Sequence, residues 1–150
     1  MITTRALRIG LCAAMLGIGA LTGGLGGSAL ASAAGPKVVV TPATNLRNGE
    51  AVHISGSGFK PGDTVFLVEC QRNAKGQSGC KVPSSFPPHA TITSTGLLPR
   101  TTFKVLTGRI GSGLCGTTKA NVARCAVSAG NAAGGDSGVG NITFKVPAKK

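Results

Sequence analysis

VECQRNAKGQSGCKVPSSF, residues 68–86, sets two cysteines ten positions apart around a stretch with nothing of its own to bury. Between Cys70 and Cys80 the bulkiest apolar side chain is Ala74, while Arg72 and Lys75 carry charge. A cross-link here cannot be holding a core together. It would stiffen a polar ribbon, and stiff ribbons standing on a scaffold make the walls of binding clefts. The scaffold is therefore to be sought on either side of the ribbon.

On both sides the chain consists of short runs rich in strand formers, punctuated by Gly, Pro and Asn. They are KVVVT (37–41), AVHIS (51–55), TVFLVEC (64–70), ATITS (90–94), LPRTTFKVL (98–106), NVARCAVS (121–128) and NITFKV (141–146). Val52 and Ile54 share one face with His53 opposite, and Ile142, Phe144 and Val146 share one face with Thr143 and Lys145 opposite. KPGD and STG supply turns. No segment has a helical apolar period of useful length. Seven short strands in about 110 residues predict an all-β fold, an antiparallel β-sandwich. With no Trp or Tyr and five Phe, the core is aliphatic and modest, and staples are worth having.

The N-terminus reads as a leader. Arg5 and Arg8 precede an apolar run from Ile9 to about Leu25, and GGSALASAAG then offers A-x-A cleavage sites at Ala29-x-Ala31 and Ala31-x-Ala33. Five glycines from Gly10 to Gly24 and the small-residue end argue against a retained membrane anchor. The expected organisation is a secretory signal peptide at 1–33 and one domain at 34–150, secreted, monomeric and not inserted in a membrane once the leader is removed. Cys12 goes with the leader. The remaining Cys70, Cys80, Cys115 and Cys125 make an even set in an exported chain, which reads as two disulfides with three possible connectivities. Equal spacing within two well-separated pairs favours Cys70–Cys80 and Cys115–Cys125.

The segment VVVTPATNLRNGEAVHISGSGFKPGDTVFLVEC resembles the opening of the neocarzinostatin family of enediyne-antibiotic apoproteins. The shared skeleton is Val40-Thr41-Pro42, Leu46, Gly49, Val52, Ile54, Gly56-x-Gly58, Gly62 and Cys70. Downstream, Pro83 and Phe86 after Cys80, STG before LLPRTTFKV, LCGTT and CAVSAGNAAGG also align, so the resemblance covers nearly all of 37–147. It implies a seven-stranded antiparallel immunoglobulin-like β-sandwich with two disulfide-stapled ribbons framing a cleft. It also implies a non-enzymatic binding protein whose cleft carries and shields a small apolar or amphiphilic molecule, in the family a DNA-cleaving enediyne chromophore held non-covalently. Carried onto this sequence, it implies a ligand site with Phe86 as an apolar wall, Arg72 as a rim cation and Val68 beside the first cysteine. Ala126, Ser128 and Gly130 alternate along the strand that floors the cleft. The chain departs from the pattern where Arg72 and Val68 replace an aromatic and a small residue, and where TGRIGSGL, with Arg109 and Ile110, replaces a Phe-rich segment.

Other chemistries find little support. GSGLCG (Gly111, Gly113, Gly116) matches a dinucleotide fingerprint in letters only, without the strand-turn-helix context. His53 and His89 are isolated and no CxxC or HExxH occurs, so no metal site is expected. Glu50, Asp63, Glu69 and Asp136 are scattered and no nucleophile elbow is present, so no catalytic residue is assigned. Charge is the remaining signal. The full chain carries +12; without Arg5 and Arg8, fourteen Lys and Arg face four acids, a charge of +10. Such a field attracts DNA or anionic cell-surface polymers, and a polyanion-binding module with a vestigial cleft is the alternative to the carrier reading.

Overall fold

The computed structural model describes residues 35–83 and 85–148; the expected leader at 1–33 lies outside the described residues, as do Ser84, Lys149 and Lys150. The seven expected runs all become strands, and three short ones are added. In chain order they are β1 (Lys37–Thr41), β2 (Ala51–Ser57), β3 (Thr64–Gln71), β4 (Cys80–Lys81), β5 (His89–Thr91), β6 (Leu97–Lys104), β7 (Gly108–Ile110), β8 (Gly113–Cys115), β9 (Cys125–Gly130) and β10 (Ser137–Ile142). One sheet has the order β1-β2-β6. A second has the order β10-β9-β3-β4, with β5 also pairing β3, and β7-β8 forms a separate ribbon. Every ladder is antiparallel.

The period-two alternation read in the sequence is the packing plan. Val38 and Val40 of β1, Val52 and Ile54 of β2, Val65 and Leu67 of β3 and Val127 and Ala129 of β9 all turn into one apolar core. Phe59, Phe103 and Phe144 complete it, and all three are buried. Each Val, Leu, Ile or Phe among them contributes roughly 1.5–3 kcal/mol on leaving water, which suits a sandwich without Trp or Tyr.

Two boundaries differ from expectation for identifiable reasons. The run NVARCAVS enters its strand only at Cys125, because Asn121 organises a turn ahead of it. Asn121 Oδ1 accepts the N–H groups of Thr117 (2.8 Å) and Thr118 (2.9 Å), and its own amide donates to Thr117 Oγ1 (2.9 Å). The last strand begins at Ser137, before the expected run, and ends at Ile142; Phe144 then makes an isolated parallel bridge to Leu46. Val146, expected on the face of Ile142 and Phe144, is exposed. The early part of β10 was illegible because its inward positions are glycines. A Cβ on Gly138 would lie 2.5 Å from the Pro36 carbonyl oxygen, and one on Gly140 would lie 2.6 Å from Val40 Cγ2. The edge strands of the two sheets close on each other there, and only glycine leaves room.

Both expected disulfides are formed, Cys70–Cys80 and Cys115–Cys125. The first joins directly opposed residues of β3 and β4. The second joins the end of β8 to the start of β9 and is fully buried. The two ribbons are tied together: Gln71 Nε2 donates to the Ile110 carbonyl (2.9 Å), and the Ser112 N–H donates to the Ser78 carbonyl (3.1 Å). Ser78 lies in the single 3₁₀ turn Gln77–Gly79 of the first ribbon.

Candidate functional site

Because side chains alternate across a strand, whatever β3, β9 and β10 do not give the core they give the opposite face. The registers arrange that face in three rows: Phe66, Gly130 and Ser137; Val68, Ser128 and Val139; Cys70, Ala126 and Asn141. The grid floors a cleft of about 820 Å³. The stapled ribbon forms one wall through Asn73, Ala74, Gly76 and Gln77. Val82, Phe86 and Pro87 form another, and Asn131, Ala132 and Gly134 close the far end.

The apolar wall is a small aromatic stack. Phe86 meets Phe66 edge to face, with centroids 5.4 Å apart at 83°, and meets His89 at 4.8 Å and 78°. These are favoured quadrupole geometries. Phe86 is nonetheless 72% exposed, while Phe66 beneath it is half-buried. A large ring is thus held at a fixed angle and left uncovered.

None of the twenty residues lining the cleft is charged. Its polar groups are amides and hydroxyls, chiefly Asn73, Gln77, Ser128, Asn131 and Asn141. The structure therefore brings together four of the six residues expected at a ligand site, Phe86, Val68, Ser128 and Gly130. Arg72 is exposed and lies outside the lining. Its N–H donates to the Arg124 carbonyl (2.7 Å), extending the pairing of β3 one residue beyond Gln71. Ala126 occupies its expected row but is fully buried, since its methyl is the shortest side chain between Cys70 and Asn141. Sequence reading missed Val139, Ser137 and Asn141, all on the unread part of β10 or at its end. The signal was present: strict alternation continues backward from Ile142 once glycine is allowed as an inward residue.

Behind the floor, on the core side of β3, Glu69 is almost completely buried. Its Oε2 accepts the Leu106 N–H (2.8 Å), while Oε1 has no hydrogen-bond partner. Burial pushes its pKa up to about 7, an effect that the Leu106 bond and the charge of Lys81 offset only in part.

Residues 38–144 match the model of the neocarzinostatin family. Macromomycin of Streptomyces macromomyceticus is 32% identical over 115 residues, covering 73% of this chain and 76% of that protein. The solved structure of macromomycin superposes with a TM-score of 0.55 at 27% identity, over 73% of this chain and 98% of its own. The solution structure of apokedarcidin gives a TM-score of 0.44 at 27% identity, over 74% of this chain and 99% of its own. With the match running from the first strand to the last core phenylalanine, the chain belongs to the neocarzinostatin family.

Proposed function

We propose that this protein is a secreted, non-enzymatic carrier that holds and shields a small uncharged molecule in the cleft over β3, β9 and β10. The observation that carries this reading is an uncharged cleft of about 820 Å³ on a chain of net charge +12. That volume falls within the usual range for small-molecule sites, roughly 300–1,000 Å³. An ionised ligand would lose hydration there and find no opposite charge in return. A neutral ligand with one flat apolar face loses little. That face rests on Phe66, Phe86, Val68 and Val139, and polar substituents meet the amides of Asn73, Gln77 and Asn141.

Membership of the family supports an enediyne-type chromophore as the class of cargo, held non-covalently, as the sequence resemblance implies. The walls of this cleft favour one with fewer stacking rings, because its exposed aromatic surface is Phe86 over Phe66 and little more. Nothing in the lining supplies a nucleophile paired with a base, so the cleft is suited to holding a molecule and not to transforming it.

The test is the intact mass of the protein purified from a secreting host without organic solvent, measured under native and denaturing conditions. The expected result is a native mass excess on the order of hundreds of daltons, the drug-sized range, lost on denaturation. No excess, together with no binding of a neutral polycyclic dye such as Nile red, would overturn the reading.

A further inference from the structure

We propose that the end of the sandwich where β3 finishes is a docking surface for the phosphate backbone of duplex nucleic acid. The cations are far from evenly spread. Arg72 and Arg124 are brought side by side by the hydrogen bond between their backbones (2.7 Å). Lys75 lies in the stapled ribbon between Cys70 and Cys80, and Lys81 stands opposite Glu69 on β4. Arg109 is on β7, the ribbon that Gln71 ties to the same end. Lys119 is in the loop closed by Cys115–Cys125. Arg47 and Lys145 join them through the backbone pairing of residues 46–50 with 143–145 and with Val105, and Lys104 ends β6 beside these. All nine are exposed. The other described cations are Lys37 and Lys60 at the opposite end and Arg100 midway along β6.

The acids do not balance this end. Asp63 and Asp136 are at the opposite end, accepting from Asn131 Nδ2 (3.0 Å) and the Lys60 N–H (2.9 Å). Glu50 is at the basic end but accepts the Arg47 N–H (2.7 Å), and Glu69 is buried. Each carboxylate is thus engaged by a backbone or amide N–H, leaving nine cations facing solvent over two carboxyls, one of them buried. The far end, with two cations and two acids, is close to neutral.

The form of this surface selects the polyanion. Four of the nine are arginines, whose planar fork fits phosphate oxygens in pairs. Single strands are held by aromatic platforms, and the phenylalanines reaching this end, Phe103 and Phe144, are buried. A duplex keeps its bases stacked and presents one charge per about 1.7 Å of axis, which suits a surface of many cations and no exposed ring. Arg72 and Lys75 flank Asn73 and Ala74 in sequence, which line the cleft, so a duplex docked here lies along the cleft's ribbon-side lip.

The test compares two triple variants of equal charge loss, Arg72→Gln/Arg109→Gln/Arg124→Gln and Lys37→Gln/Lys60→Gln/Arg100→Gln, for binding to unrelated duplexes across a salt series. Circular dichroism and non-reducing mass confirm that each is folded and bridged. The first should lose about tenfold or more at low salt and reduce the log–log salt slope by about 2 to 3, at about 0.9 per lost phosphate contact; the second should change less than about twofold. Equal losses in both would make the effect one of net charge alone and overturn the proposal. Binding to an anionic polysaccharide as tight as to the duplexes would overturn the assignment to nucleic acid.

Discussion

The two disulfides bridge cysteines with the same separation of ten residues, and they do different work. Cys115 and Cys125 are both fully buried, in the same core as Ile110, Ile142 and Phe144. The first bridge lies on the outer face, and Cys70 and Cys80 both line the cleft. Loop-closure entropy is the same for the two, roughly 2–3 kcal/mol in the chain-entropy model. What separates them is where the sulfurs sit. One bridge is part of the core, the other part of a cleft wall, and cysteine spacing cannot distinguish a staple for stability from a staple for shape.

Replacing both Cys115 and Cys125 by Ala should have the largest effect. It removes the cross-link and leaves a void in the core, for a combined loss of about 4 kcal/mol. Urea denaturation measures it, and a loss no larger than that of the other pair would break the comparison.

Next comes the buried carboxyl between the two regions. The folded-state pKa of Glu69 lies above its unfolded value, so the folded protein holds the proton more tightly. Its contribution is greatest at or below the ordinary carboxylate range, is lost as the pH rises toward 7, and stays flat above that. The loss is about 3 kcal/mol at most. Glu69→Gln should flatten stability between pH 5 and about 7; an unchanged slope would show that another group titrates.

Replacing Cys70 and Cys80 by Ala should cost about 2–3 kcal/mol, with a proportionally greater loss in Nile red binding as the ribbon wall loosens. Hydrogen exchange should quicken at residues 72–79 and stay unchanged in β1, β2 and β6. Smallest in stability is Phe86→Ala, which should cost less than about 1 kcal/mol because the ring is 72% exposed, yet should weaken the same dye severalfold. A loss of about 3–5 kcal/mol, as for a core phenylalanine, would move Phe86 out of the site.

Much of the scaffold was legible. Alternation in AVHIS placed Val52 and Ile54 in the core, and spacing chose both disulfides. What failed to show was structure carried by glycine and asparagine. Gly138 and Gly140 give no apolar pattern, yet they are the inward face of β10. Asn121 reads like any loop residue, yet its side chain delays β9 by four positions. Of the cleft lining, Phe86, Val68, Ser128 and Gly130 were readable. The neutrality of the cleft was not, because Arg72 and Lys75 are interleaved in sequence with Asn73 and Gln77, and only the fold separates them. Nor could composition reveal that the charge gathers at one end, since that follows from which strand ends meet.

The most direct test of the central claim is an amide NMR titration of the disulfide-bonded protein with Nile red, a neutral polycyclic dye. The expected result is saturable shifts at Phe66, Val68, Asn73, Gln77, Ser128 and Val139, with β1, β2 and β6 silent. Shifts centred elsewhere, or none at saturating dye, would contradict a ligand site on the outer face of β3, β9 and β10.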